Sequence, residues 1–185
     1  IQDMGITLSG RSYSNEIRGM TRLGDYLYVV VGNIVVRMDS EWSVECICTF
    51  PLYYDSGPVC MVTNGNAIFI TEGIAGVGYH YNPTTETWTR VTEVDHGFIG
   101  GGTLTTQDGY FISNVPETQL VQFSENGLAW DSLDTCSAEY KPDSAVRVYS
   151  EFGQLWIFGE ESSEIFYNSG VANNVFQRVS GGTLD

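Results

Sequence analysis

The chain has 185 residues, 42% of them hydrophobic and 13% aromatic, enough apolar surface for a packed core and too much for a disordered segment. Eight basic and 23 acidic side chains leave a net charge of −15, so binding to a phosphate backbone would work against the overall field. No run of ~18 apolar residues occurs and the amino terminus lacks a charged region followed by an apolar core, which argues against a membrane span or a signal peptide.

Three of the eight cations, Arg11, Arg18 and Arg22, fall in the first 22 residues. They read as a solvated edge or as a contact for an acidic neighbour. Beyond them, "GDYLYVVVGNIVVRMD" from Gly24 is a turn glycine, a short aromatic-aliphatic strand, a polar reversal and a second strand. The unit returns as "GNAIFITEGIAGVGYHYN" from Gly65, "DGYFISNVPETQLVQFS" from Asp108 and "GQLWIFGEESSEIFYNSG" from Gly153. In the last of these, 154–158 reads as a strand covered on both faces, 160–163 as the reversal and 164–168 as the return.

A further strand is expected before each hairpin, at 16–23, 59–63, 102–106 and 144–150, and another after it, at 44–50, 87–92, 128–133 and 175–179. Taking Tyr28, Phe69, Phe111 and Trp156 as equivalent buried anchors, the separations are 41, 42 and 45 residues. Four short strands recurring at that period, with no helical periodicity, are the pattern of propeller blades. The expected fold is therefore all-β and β-propeller-like: about four four-stranded antiparallel repeats (16–50, 59–92, 102–133, 144–179) in a single domain 1–185. Four is the lower limit for a closed ring, so the reading that these are consecutive blades of a larger propeller stays open. A two-sheet sandwich is the structural rival. Beginning at Ile1 and ending at Asp185 soon after an apparent strand, the chain reads as a piece of a longer protein.

Cys46, Cys48, Cys60 and Cys136 show no metal-type spacing. Cys46 and Cys48 fall on one strand face, a placement that does not favour a bridge between them, and all four read as free, partly buried thiols of a reducing compartment. Glu160, Glu161 and Glu164 could supply paired carboxylates of the glycosidase kind, but Glu160 and Glu161 adjoin and would point apart on a turn, so they read as polar hairpin residues. Asp95 and His96 lack a nucleophile elbow to complete a triad. His80, flanked by Tyr79 and Tyr81, reads as a packed or exposed strand residue, not a metal ligand. The glycine clusters at Gly73 and Gly97 open no helix and precede no Lys-Ser/Thr, so they are turns or places of close backbone approach, not phosphate cradles. No catalytic, cofactor-binding or metal-binding residue is assigned.

Three ordered stretches carry a family resemblance: "DGYFISNVPETQLVQFSENGLAWDSLD" (108–134), "SAEYKPDSAVRVYSEFGQLWIFGEESSEIFYNSG" (137–170) and "FQRVSGG" (176–182), with "RGMTRLGDYLYVVVGNIVVRMDS" (18–40) before them. Together they resemble the packaged-DNA stabilisation, or tail-hub, proteins of short-tailed bacteriophages. The resemblance implies a non-enzymatic virion structural protein of the phage tail, without cofactor. Its implied partners are portal-adaptor and other tail proteins, further copies of itself in a ring, and packaged DNA approached without sequence-specific binding. The segment "NNVFQRV" lacks a proline-phenylalanine pair common in that family, whose members are also longer. Walls that repel phosphates would let DNA slide, although a charge of −15 also serves solubility alone. Separately, "YHYNPTTETWTRV" from Tyr79 resembles a kelch hairpin, with Tyr81 and Trp88 flanking an Asn-Pro turn. The resemblance implies the alternative of a propeller module that binds protein or carbohydrate; a propeller glycosidase or lyase is the third class.

Overall fold

The computed structural model describes residues 16–48, 51–172 and 174–184; Arg11 and the end of the first repeat at Phe50 lie outside them. The described chain is all-β apart from one four-residue helix and forms four four-stranded antiparallel sheets. It divides into two compact units, residues 1–59 and 60–185.

The first unit holds β1 (Ile17–Leu23), β2 (Tyr26–Val31), β3 (Ile34–Met38) and β4 (Val44–Cys46), paired in chain order. Gly24, at φ 60°, supplies the left-handed position of the two-residue turn between Leu23 and Tyr26. Val29, Ile34 and Val36 form the apolar cluster. Arg18 is not on a solvated edge: it is buried and donates to the carbonyls of Gly57 (2.6 Å), Tyr54 (2.7 Å) and Gly32 (3.0 Å). Its guanidinium fork satisfies three loop carbonyls at once, which fixes the segment crossing this sheet. Arg22 remains exposed.

The second unit holds three sheets: β5 (Cys60–Thr63), β6 (Ile68–Thr71), β7 (Val77–Asn82) and β8 (Thr87–Thr92); β9 (Leu104–Gln107), β10 (Tyr110–Asn114), β11 (Leu120–Ser124) and β12 (Thr135–Ser137); then β13 (Ala145–Glu151), β14 (Gln154–Gly159), β15 (Ser163–Asn168) and β16 (Phe176–Leu184). Two apolar layers join them. Phe69, Phe98, Phe111 and Trp130 centre the layer between the first two sheets, with ring centroids 4.6–5.6 Å apart. Ile112, Val121, Phe123, Leu155, Ile157, Phe166 and Phe176 build the layer between the second and third.

Two expectations are corrected here. The fourth strand of the third repeat is β12, not 128–133. That segment is a loop because the Asn126 side-chain oxygen accepts from the N–H groups of Leu128 and Ala129 (both 2.8 Å), while the Trp130 indole donates to Gly127 and drops into the core. The anchors are also not equivalent by strand position in two repeats, although Tyr28 is buried as expected. Leu27, Phe69, Phe111 and Leu155 are each the second residue of their strand; Tyr28 and Trp156 are the third. A shift of one residue turns a side chain to the opposite face. Leu155 and Ile157 are fully buried, whereas Trp156 and Phe158 stack on each other (6.2 Å, 16°) on the less covered face of β14. That strand is therefore covered fully on one side only.

Candidate functional site

The first strands of the three sheets in the second unit, β5, β9 and β13, lie beside one another, and polar side chains bridge them. Across β5 and β9, Leu104 N–H donates to the Cys60 sulfur (3.2 Å) and the Thr106 hydroxyl donates to the Thr63 carbonyl (3.1 Å). Across β9 and β13, the Thr103 and Thr105 hydroxyls accept from the N–H groups of Val148 and Ser150 (both 3.0 Å), and Gln107 donates to the Gly153 carbonyl. Asn114 adds a buried strap, accepting from Thr103 N–H (2.6 Å) and donating to the Ala145 carbonyl (2.7 Å). Backbone groups at strand edges, which otherwise invite foreign pairing, are met here by side chains of the next sheet.

A cavity of about 270 Å³ opens between the second and third sheets, lined by Tyr110, Phe123, Glu125, Asn126, Asp134 and Val175. Burial, reinforced by the charges of Asp131 and Glu125, raises the Asp134 pKa. Burial and the bond to Glu125 (2.8 Å) raise that of the Tyr110 phenol. An acid held toward its neutral form beside a second carboxylate is the nearest approach to acid–base equipment among the described residues. The cavity's lining holds no Ser, Thr or Cys. Among the described residues, no three of His, Cys, Asp and Glu are grouped so as to hold a metal ion.

The candidates from sequence fall as follows. Glu160 and Glu161 are exposed on the turn after β14, and Asp143 clamps that turn by accepting from Glu161 N–H (2.8 Å), Ser162 N–H (3.0 Å) and the Ser162 hydroxyl (3.1 Å). These bonds lower the Asp143 pKa. Glu164 departs from its expected place on a polar hairpin: it is 1% exposed, accepts from Tyr140 N–H (2.7 Å) and pairs with Arg178 (3.2 Å). Asp95 and His96 belong to a short helix α1 (Glu93–His96), where Thr92 is the N-cap and accepts from Asp95 N–H, and the Thr92 N–H donates to His96 Nδ1 (3.2 Å). His80 is packed, and desolvation lowers its pKa to about 4. Gly97, at φ 73°, is where backbones meet, since a Cβ there would strike the Trp130 carbonyl. Tyr81 and Trp88 pair across β7 and β8 and stack at 4.8 Å.

The cysteines are free. Cys46 and Cys48, however, are better placed for each other than strand geometry foretells, with sulfurs 3.6 Å apart. Strand β4 ends at Cys46, while Ile47 N–H still donates to the Val35 carbonyl. The Cys48 bond lowers the Cys46 pKa to about 6, and the same bond, with burial, raises that of Cys48. Cys60 is raised by burial, and burial pushes Cys136 up to about 12.

The outer face of the third sheet carries Tyr149 and Tyr167, 47% and 41% exposed, with Trp156 and Ile165 between them. Sequence reasoning missed this face because its residues alternate with the buried set and read as core.

Four-stranded antiparallel sheets repeated in chain order, with neighbouring first strands bridged by side chains, define a β-propeller protein. The family model described as "Phage_stabilise: Bacteriophage P22 Gp10, beta-propeller" matches residues 3–185, and the chain belongs to that family of phage structural proteins. No curated protein matches it. Among solved structures, the chain is similar to YjhT (10% identity, TM-score 0.61, covering 94% of this chain and 66% of that one). It is also similar to a catalytically inactive virginiamycin B lyase from Staphylococcus aureus with quinupristin (12%, 0.63, 90% and 56%) and to Hsv2p of Kluyveromyces lactis (8%, 0.56, 84% and 50%). These likenesses concern the fold. The chain spans about half to two thirds of the length of these proteins.

Proposed function

We propose that this protein is a tail-hub component of a short-tailed phage, which assembles in a ring below the portal, connects the portal adaptor to further tail parts and retains packaged DNA. It acts by assembly and not by catalysis. The observation that carries the reading is the family match across 3–185. Two features support it. The half-exposed aromatic face of β13–β16 offers the large, rigid, amphipathic side chains that protein interfaces favour. A net charge of −15 gives walls that form few ion pairs with phosphate, so sliding DNA has little binding free energy to give up.

The test is an amber mutation in the reading frame of the phage that encodes the chain. Under non-permissive conditions, heads are expected to fill with DNA and then lose it to added nuclease, while complemented particles hold it and carry the protein in their tail fraction. Particles that lack the protein and still retain their genome would exclude the role.

A further inference from the structure

We infer that Cys46 and Cys48 form a redox-active dithiol, a modification site at which a peroxide closes a disulfide at the end of β4. The inference rests on geometry and is independent of the tail-hub reading. The two sulfurs are 3.6 Å apart, so a bond of about 2.05 Å needs them to close by about 1.5 Å, and residues two apart can keep their Cα atoms within the limit of about 6.8 Å that a disulfide allows. The backbone on either side is held. Cys46 pairs with Val36 in the ladder, and Ile47 N–H donates to the Val35 carbonyl (3.1 Å). The Cys48 sulfur accepts from Val35 N–H (3.4 Å), an interaction that a disulfide sulfur can keep. Both thiols are partly buried against the cluster of Val29, Ile34 and Val36, sheltered yet reachable by a small oxidant.

The pair divides the chemistry. The hydrogen bond from Cys48 favours the Cys46 thiolate, while Cys48 keeps its proton. Glu45 opposes that ionisation, but its carboxylate is held by Arg37 at 2.7 Å. In the first step the Cys46 sulfur attacks one peroxide oxygen, the O–O bond breaks, and Cys46 becomes a sulfenic acid as hydroxide leaves and takes up a proton. In the second, the Cys48 sulfur gives up its proton and attacks the Cys46 sulfur. The S–O bond breaks and water departs. Two thiols are oxidised by two electrons, and one peroxide becomes two waters. The remaining thiols are differently placed: Cys60 is engaged with both backbone groups of Leu104, and Cys136 sits in the second core layer.

The experiment treats the purified chain with one equivalent of hydrogen peroxide, alkylates what remains and maps peptides without reduction. The expected product is a peptide lighter by two hydrogens, unalkylated at Cys46 and Cys48 and resistant to fragmentation between them, with Cys60 and Cys136 alkylated. In Cys48→Ser, dimedone should trap a sulfenic acid at Cys46; in Cys46→Ser it should trap none at Cys48. The rate should rise through pH about 6 and level off near neutrality, where an ordinary thiol is still climbing toward about 8.5. A linkage to Cys60, Cys136 or another chain would overturn the inference. So would Cys46 and Cys48 alkylating as fast after peroxide as before it.

Discussion

Gln122 on β11 is fully buried, and its amide closes a three-way junction. The side-chain oxygen accepts from Ile99 N–H at 3.0 Å, and the nitrogen donates to the carbonyls of Gly97 at 2.8 Å and Asp131 at 3.4 Å. Gln122→Leu keeps the volume and removes every one of these bonds. Backbone groups stranded without a partner cost about 1–3 kcal/mol each, so losing the two shorter bonds should cost about 2–4 kcal/mol, since Gly97 and Ile99 keep partial exposure. That corresponds to a fall in melting temperature of roughly 5–15 °C for a domain of this size, measured by calorimetry. A second arm separates polar loss from packing. Gln122→Glu retains the acceptor for Ile99 but donates to Gly97 only when protonated, so its folded-state pKa rises. The defect should then be small in acid and grow as pH climbs above the unfolded value of about 4.3. A Gln122→Leu variant within about 0.5 kcal/mol of the parent would refute the reasoning, because surface changes fall in that range.

Leu155→Ala should cost about 2–5 kcal/mol by denaturant titration, and Trp156→Ala only about 1–2 kcal/mol, because the indole is partly solvated; equal losses would contradict the register of β14. Desolvation holds the His80 pKa at about 4, so its imidazole resonances should titrate there by NMR and not near 6.5. Because the unfolded chain takes up this proton first, stability from His80 is complete above about 6.5 and falls, by up to about 2–3 kcal/mol, as pH drops toward 4. Asp143 has the opposite sign of charge: its lowered pKa gives stability that is present above the unfolded value of about 3.9 and is lost as pH falls through the folded one. Asp143→Ala should therefore speed amide exchange at Glu161 and Ser162 at neutral pH and change it little in strong acid.

The limits of most strands were legible because turn glycines and two-residue alternation are local signals. Residues 59–63, 87–92 and 144–150 lie within a residue of β5, β8 and β13. What failed depended on neighbours distant in the chain. Gln122 lies between Val121 and Phe123, and the segment from Gly97 to Ile99 covers its face, a contact that two-residue alternation does not report. Glu164 reads as a polar hairpin residue until Arg178 on the next strand and Tyr140 in the loop before β13 enclose it. Trp156 was mistaken for an anchor because hydrophobicity reports that a residue can be buried and says nothing about which face of a strand receives the next layer. The dithiol escaped for a related reason: strand periodicity places Cys46 and Cys48 on one face but does not report how their side chains turn toward each other and toward Val35 on β3.

The repeat length itself has a physical origin in the bridges between first strands. Cys60 meets Leu104, Thr63 meets Thr106, and Thr103 and Thr105 meet Val148 and Ser150, all at sequence separations of 43 to 45 residues. A hydroxyl or thiol one bond beyond Cβ reaches a neighbouring edge only when successive sheets sit side by side at a fixed offset. An insertion within one unit must therefore be taken up in its outer loops. The loop at 126–134 illustrates this: it displaces the fourth strand to Thr135 while β9 and β13 keep their bridges. Small polar residues on the first strands thus do what a continuous ladder does within a sheet, and outer strands are left free to vary in length. The bridged first strands hold the 43- to 45-residue spacing, while the fourth strands range from three residues in β12 to nine in β16.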